Sequence, residues 1–388
     1  MMHGGSLHLE IANSIDSVDS ADWNRLAGHT NPFVSHAFLM ALECGNAVGG
    51  NSGWQPMHLL LHDAEASLVA AMPLYLKHHS YGEYVFDHSW ANAYERAGGR
   101  YYPKLLSGIP FTPVTGPRFL VPEDRPDLKT VLVQSLQTIV QQNNLSSAHI
   151  NFISEKDVAT LEAENWLVRT GIQFHWQNND YDNFEVFLAN LSSRKRKNIR
   201  KERAAVARAG VKLHPLTGDA ITQQHIDHFY RFYLSTIERK WGGAYLTYEF
   251  FDTLRHSMAE RMLLVMAEMD GSIIGGALNF IGEDCLYGRN WGADLDIPYL
   301  HFEACYYQAI EFAITHRLAR VEAGAQGFHK VQRGYMPVTT YSAHHIAHDD
   351  FRDAVSRFLR AETNSIDDEK AFITDNSPFK TDPKSDVI

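Results

Sequence analysis

One order of elements occurs twice in this chain: two apolar runs joined by a tight turn, an aromatic- or glycine-rich segment, a helix, then a strand. It spans residues 57–154 and again 263–323. The second passage is the sharper. Apolar runs at 263–268 and 273–281 flank Met269-Asp270-Gly271-Ser272, and Asp-Gly between such runs specifies a hairpin. Gly275 and Gly276, inside the second run, predict a bulge or a close backbone approach. A third strand is expected at 284–291. A helix follows at 301–316, with Phe302, Cys305, Tyr306, Ala309 and Ala313 on one face, and a strand at 319–323. In the first passage the strands fall at 57–62, 68–77 and 148–154, with the helix at 128–143. The repeat is one of architecture and not of residues. It predicts an α/β (α+β) protein with two similar domains in tandem, each a mixed, mostly antiparallel sheet flanked by helices. The expected boundaries are 1–178 and 179–362, and the polar residues 363–388 read as a disordered tail.

Composition narrows the function classes. With 388 residues and a formal net charge of −11, the surface is unsuited to wholesale non-specific nucleic-acid binding, although a local basic groove is compatible with it. Cys44, Cys285 and Cys305 form no metal-ligand spacing, which fits a reducing compartment. The first residues lack a basic and apolar leader, and no apolar run approaches the roughly 18 residues a membrane helix needs. A cytoplasmic protein without a membrane span is the expectation. Of 21 histidines the clusters are His78–His79 and His344, His345 and His348. Neighbouring histidines on a strand point to opposite faces, and there is no HExxH, so no metal site is expected.

Two stretches carry chemistry. The first is 194–203, RKRKNIRKER, with seven basic residues in ten. It reads as a helix over 192–209, capped by Ser192 or Ser193, with Ile199 and Val206 inward. Like charges one turn apart cost helix stability. A one-signed run in an acidic chain therefore points to a polyanionic partner, met by Arg194, Lys195, Arg196 and Lys197; a solvated helix face is the alternative. The second stretch is 319–337, with Gly324, Gly327 and Gly334 among Glu322, Gln326, His329, Lys330, Gln332 and Arg333. Glycines admit close backbone approach, and backbone N–H groups beside Lys and Arg suit an anion. Gly324, Gln326, Gly327, His329, Lys330 and Arg333 are the expected anion-binding set. Glu322 is the candidate base, unless it merely pairs with Arg333 or Lys330, and Glu303 is a weaker one. Tyr287 is a candidate proton donor or a packed strand residue, and Arg289 and Trp291, on the same strand, are candidate substrate contacts. The long aromatic segment 81–118 offers Asp87, His88, Trp90 and Tyr94 as substrate contacts, or as packing at a domain interface.

The segments LSSRKRKNIRKER, DGSIIGGALNF, GRNWGAD, HFEACYYQAIEFAI and EAGAQGFHKVQRGYMPV, with PLYLKHHSYGEYVFDHSWANAY and YYPKLLSGIPFTPVTG in the first half, resemble the FemAB-like branch of the GNAT superfamily of N-acyltransferases, over residues 17–362. The resemblance implies tandem GNAT-like domains and transfer of an acyl or aminoacyl group to an amine. Related Fem transferases take an aminoacyl-tRNA as donor and a peptidoglycan precursor as acceptor, whereas ordinary GNAT enzymes take acyl-CoA. The implied partners are thus an amine-bearing small molecule or peptide, with tRNA or acyl-CoA as co-substrate and no tightly held cofactor. The chain departs from ordinary GNAT enzymes before His301: RNWGADLDIPYLHFEA holds Arg289 and Gly292 but lacks the Q/R-x-x-G-x-G/A phosphate loop. By similarity, Lys330 takes the phosphate-contacting role of the Fem post-strand lysine. The alternative is a non-catalytic scaffold that binds RNA or another polyanion through the basic helix. An enzyme predicts a cleft joining Glu322, Lys330 and 81–118; a scaffold predicts an open basic face.

Overall fold

The computed structural model describes residues 6–238, 243–325 and 327–380. The chain divides into two compact units. The first runs to Gly171 and adds Tyr245–Leu254 and Thr340–Ile366; the second comprises Ile172–Ala244, Arg255–Thr339 and the chain from Asp367. The division thus falls at 171/172, inside a strand, and not at 178/179. The strand Leu167–Gln177 runs through the division without a break.

In the first unit, β1 (His8–Ala12), β3 (His58–His62) and β4 (Leu68–Met72) form an antiparallel sheet in the order β1-β3-β4. A second set has the order β2-β5-β6-β7-β14, with β2 at Trp54–Pro56, β5 at Tyr75–Lys77, β6 at Lys104–Ser107, β7 at Ser147–Ile153 and β14 at Met336–Ile346. β6 and β7 are parallel, whereas β2 with β5, β5 with β6 and β7 with β14 are antiparallel. The expected strand 68–77 is two strands, since Pro73 separates β4 from β5 and a proline cannot donate to the ladder. The expected irregular segment 81–118 contains both β6 and a helix, His88–Arg96. The core packs Leu128, Leu132, Leu136 and Val140 of the helix Asp127–Gln142 on Leu105, Ala148, Ile150 and Ala343 of the sheet.

In the second unit the order is β8-β13-β12-β11-β10-β9: β8 at Leu167–Gln177, β9 at Lys212–Leu216, β10 at Met262–Met269, β11 at Ser272–Ile281, β12 at Cys285–Ala293 and β13 at Arg320–Glu322. Asp270 (φ 51) and Gly271 (φ 77) both take the left-handed conformation, as a two-residue type I′ turn requires. The register shifts opposite Gly275, which is the expected bulge. Helices cover the sheet through Tyr306, Tyr307, Ile310 and Ile314 on one side of the chain Leu300–Thr315, together with Phe187, Leu188 and Ile199. The helix His301–His316 of the sequence is interrupted by a π-helical turn, Glu303–Tyr307. This turn shifts the phase of the apolar face, so Tyr306 and Tyr307 are both buried.

A close approach decides one position. An added Cβ at Gly292 of β12 would lie 2.1 Å from the carbonyl oxygen of Phe232, on the helix Gln223–Glu238. Backbone cannot yield as a flexible side chain does. Gly292→Ala should therefore destabilise the chain by about 1–3 kcal/mol, read as a lower urea midpoint; an unchanged midpoint would refute this packing.

The residues after Glu362 do not form the expected loose tail. The helix Asp349–Asp375 continues through them, Ile373 is buried in the second unit's core, and Phe379 packs against the same core. Residues 381–388 lie outside the described part of the chain.

Candidate functional site

The site in the second unit begins where two strands part. β12 and β13 pair in parallel at Cys285↔Arg320, Leu286↔Val321 and Tyr287↔Glu322, and then separate. β12 continues to Ala293 against β11. The other chain stays with β8: Ala323 N donates to Phe174 O at 3.1 Å and Phe174 N to Gly324 O at 3.1 Å. At the parting point the pairing shifts from Asn279↔Gly288 to Leu278↔Asn290. Arg289 is the inserted residue of a bulge, and a bulge bends its strand.

Lys330, from the 3₁₀ turn Phe328–Arg333, reaches back to this split. Its buried ammonium donates to Ala323 O and, at 3.2 Å, to Gly324 O. Burial pushes its pKa down to about 8. An ammonium has three N–H groups, so two are spent on the strand end and one is left for a ligand. Glu322, the residue before Ala323, is also buried, but its partners differ from those expected. Oε1 accepts from Arg320 Nε at 3.2 Å. Oε2 has no hydrogen-bond partner among the described residues and lies 3.8 Å from His175 Nε2. Neither Arg333 nor Lys330 pairs with it, because Arg320 stands two residues away on the same strand face. Burial, opposed by Arg320, raises the Glu322 pKa. Burial, with Arg320 and Lys330, lowers that of His175 to about 3, so the imidazole is neutral at ordinary pH. Burial also makes Tyr287 a weaker acid than free tyrosine, which counts against its expected role as proton donor.

The rest of the expected anion set is divided. His329 Nε2 is 3.0 Å from the Tyr306 hydroxyl. Arg333 is consumed inside the unit. Its guanidinium donates to Glu202 Oε2 at 2.8 Å, to the Tyr307 hydroxyl at 3.0 Å and to His329 O at 2.7 Å, and it lies 3.5 Å from the Phe302 ring centroid. It is a structural cation because Glu202, from the basic helix, neutralises it. Gly324 and Gly327 take positive φ, and Gln326 lies outside the described residues. Trp291 packs 5.7 Å from His301, centroid to centroid.

The basic helix is Ser193–Arg208, with Ile199 and Val206 buried as expected. Ser192 occupies the cap position but makes no side-chain capping bond. The cations fall into two sets. Arg200 pairs with Glu185, and Arg203 with Glu303 and Glu311, which also ties up Glu303 as a base. Arg196 donates to Ala189 O and Leu191 O. Arg194, Lys197 and Lys201 are exposed and form no ion pair with a described residue.

A model of the FemAB-like family, described as peptidoglycan biosynthesis/recognition, matches residues 14–381. The chain belongs to the FemAB-like family. Compared by sequence with curated proteins, this FemAB-like chain matches none. Among solved structures it is similar to FemX (11% identity, TM-score 0.55, covering 87% of this chain and 98% of that one). It is also similar to L-PGS from Bacillus licheniformis (10% identity, TM-score 0.50, covering 86% and 98%). A third likeness is to the C-terminal DUF2156 domain of a candidate lysylphosphatidylglycerol synthetase from Agrobacterium fabrum (9% identity, TM-score 0.55, covering 88% and 97%). These likenesses bear on the fold alone. No helix among the described residues of the FemAB-like chain is long and apolar enough to cross a membrane, and none of its described His, Cys, Asp and Glu groups is arranged to hold a metal ion.

The first unit of the FemAB-like chain repeats the strand row of the second. Tyr287, Glu322 and His175 are register partners across β12, β13 and β8; Leu106, His149 and His344 are partners across β6, β7 and β14. Here, however, the row is closed by buried ions. Lys104 Nζ donates to Ser80 Oγ at 2.9 Å, Glu83 Oε2 at 2.8 Å and Asp87 Oδ2 at 2.5 Å. The Tyr101 hydroxyl donates to Asp87 Oδ2 at 2.7 Å, and His149 Nδ1 lies 2.7 Å from His344 Nδ1. Burial raises Glu83 to about 7 and lowers Lys77 to about 7 and His149 to about 3. Asp87 and Trp90 therefore do not face a ligand as the sequence predicts; Asp87 is held inward by Lys104, and Trp90 packs on His344 at 4.9 Å. Tyr94 packs on Phe351 at 4.6 Å, and only His88 of the four is exposed. Sequence reasoning missed His149, His175 and Glu202, and weighed His344 only as a metal ligand. For the three histidines the only signal was a place within strand-forming sequence.

Proposed function

We propose that the chain transfers an aminoacyl group from a charged tRNA to an amine on a peptidoglycan-related acceptor, at the split between β12 and β13. The observation that carries this reading is the parting of the two parallel strands with the buried Lys330 ammonium seated on the end of one of them. In this chemistry the acceptor amine attacks the ester carbon. A C–N bond forms, the C–O bond to the ribose breaks, and the amine proton passes through a base to the leaving oxygen. Glu322 is the base, through its unpartnered Oε2 and an intervening water. Lys330 faces the carbonyl oxygen as negative charge develops there. Positioning of two bound substrates supplies much of the remainder. A nucleic-acid donor is favoured over acyl-CoA by the exposed, unneutralised Arg194, Lys197 and Lys201, and by the missing phosphate loop before His301.

The test compares tRNA and acetyl-CoA as stabilising ligands of the full chain, because a ligand of the native state raises its stability by mass action. Transfer from labelled aminoacyl-tRNA to an amine-bearing peptide is then measured. Stabilisation by tRNA alone, with transfer, is the expected result. Stabilisation by acetyl-CoA alone overturns the donor, and tRNA binding without transfer favours the scaffold. Replacing Arg194, Lys197 and Lys201 by Gln should also lower the slope of log affinity against log salt by about 2; an unchanged slope would place the RNA elsewhere.

A further inference from the structure

We propose that Tyr81, Tyr84 and Phe86 form a rigid aromatic tip on the first unit that docks into a lipid–water interface. These three side chains lie within six residues and are 58%, 41% and 58% exposed. The residues between and after them point the other way: the carboxylates of Glu83 and Asp87 are buried on Lys104. Exposure of three large rings in one short segment is unusual for a soluble surface and marks an interaction site.

The tip is held in place rather than loosely tethered. Tyr81 O accepts from Lys77 Nζ at 3.2 Å and from Trp54 Nε1 at 3.2 Å. Gly82 O accepts from Phe111 N at 3.1 Å, and Phe86 O from Arg169 Nη1 at 2.9 Å. Tyr84 is kept at φ 59, a conformation that costs energy in a bulky residue. The anchors fix the backbone so that the rings cannot fold back. Docking a preorganised segment loses little conformational entropy.

The chemistry of the tip selects a membrane surface over a protein groove. Two of the rings carry a hydroxyl, and such amphipathic rings settle at the headgroup level of a bilayer. Histidine rings extend the surface: His79 lies 5.1 Å from Tyr81, and His88 lies 5.7 Å from Tyr81 and 6.4 Å from Phe86. Tyr245, 41% exposed and stacked on Phe111 at 4.9 Å, adds a further ring. No leucine or isoleucine anchor stands among the exposed residues from His78 to Ser89, and both carboxylates of that stretch are turned inward. In a chain of net charge −11 this leaves a patch without exposed acid, which anionic headgroups do not repel.

Flotation of the full chain with vesicles of phosphatidylcholine and phosphatidylglycerol in equal parts tests the proposal. The chain should float with the vesicles, and Tyr81→Ser/Tyr84→Ser/Phe86→Ser should lower the partition coefficient about tenfold or more. Its thermal melt should be unchanged, because the three side chains are exposed. If the triple variant melts early, Phe86→Ser alone keeps the test open, with a loss of about threefold expected. A parent chain that stays with the unbound fraction, or variants that float as well as it does, overturns the proposal. Self-association that the triple variant abolishes, without flotation, also overturns it and makes the tip a protein–protein surface.

Discussion

Lys104→Met should lower the unfolding free energy by about 3–5 kcal/mol, the range for removing one partner of a buried ion pair. That is a large part of the 5–15 kcal/mol that ordinarily holds a domain folded. The Lys104 side chain is fully buried, and its ammonium meets Ser80, Glu83 and Asp87. Methionine fills most of the volume but leaves two carboxylates facing apolar surroundings. Glu83 already sits near 7 because burial outweighs its neighbours, so it takes up a proton readily. Asp87 is different. Burial opposes its ionisation, yet Lys104 and His149 hold it well below the usual carboxylate range. Most of the loss should therefore come from Asp87. The double variant Lys104→Met/Asp87→Asn should recover a substantial fraction, as expected for residues in one network. Urea unfolding of the two single variants and the double variant measures this. A loss below about 1 kcal/mol for Lys104→Met, or strict additivity, would show that the cluster is solvated and weak.

The same cluster shows where sequence reading stops. Asp270-Gly271 demanded its turn, and the apolar spacing of Leu128, Leu132 and Leu136 demanded its helix, because those signals act between neighbours in the chain. The direction of Asp87 and Lys104 is set by residues far away in sequence, and the two segments that carry them look like a site lining as readily as a buried ion cluster. Arg333 gives the same lesson. Among Gly327, His329 and Lys330 it reads as an anion contact, but Glu202, from a helix 131 residues earlier, consumes it. Among the described residues after Glu362, only Ile373 and Pro378 are buried. A helix that is anchored so sparsely gives almost no periodic signal, so the reading as a tail followed from composition. The parting of β12 and β13 was equally invisible. Residues on both strands were singled out, but only the register shows that their pairing ends at Tyr287 and Glu322.

Lys330→Met should reduce transfer by about 10²–10³-fold, the usual effect of deleting a donor aimed at a developing oxyanion. The ammonium is fixed by the carbonyls of Ala323 and Gly324, so little reorganisation is needed as charge appears. Its charged form is required, and burial has lowered its pKa to about 8. Activity should therefore hold below about pH 8 and fall as the pH rises through that value. This alkaline limb should vanish from the residual activity of Lys330→Met. A lysine that only ties down the turn at Gly324 would behave differently: its loss would lower the melting temperature and weaken substrate binding, while the alkaline limb of kcat would persist. Lys330→Arg separates the two roles further. Arginine keeps the charge and can reach carbonyl oxygens, but its planar fork presents its donors in a different geometry. Restored stability with transfer still depressed would assign Lys330 to the reacting carbonyl. Restored transfer would reduce it to a strap on the strand end.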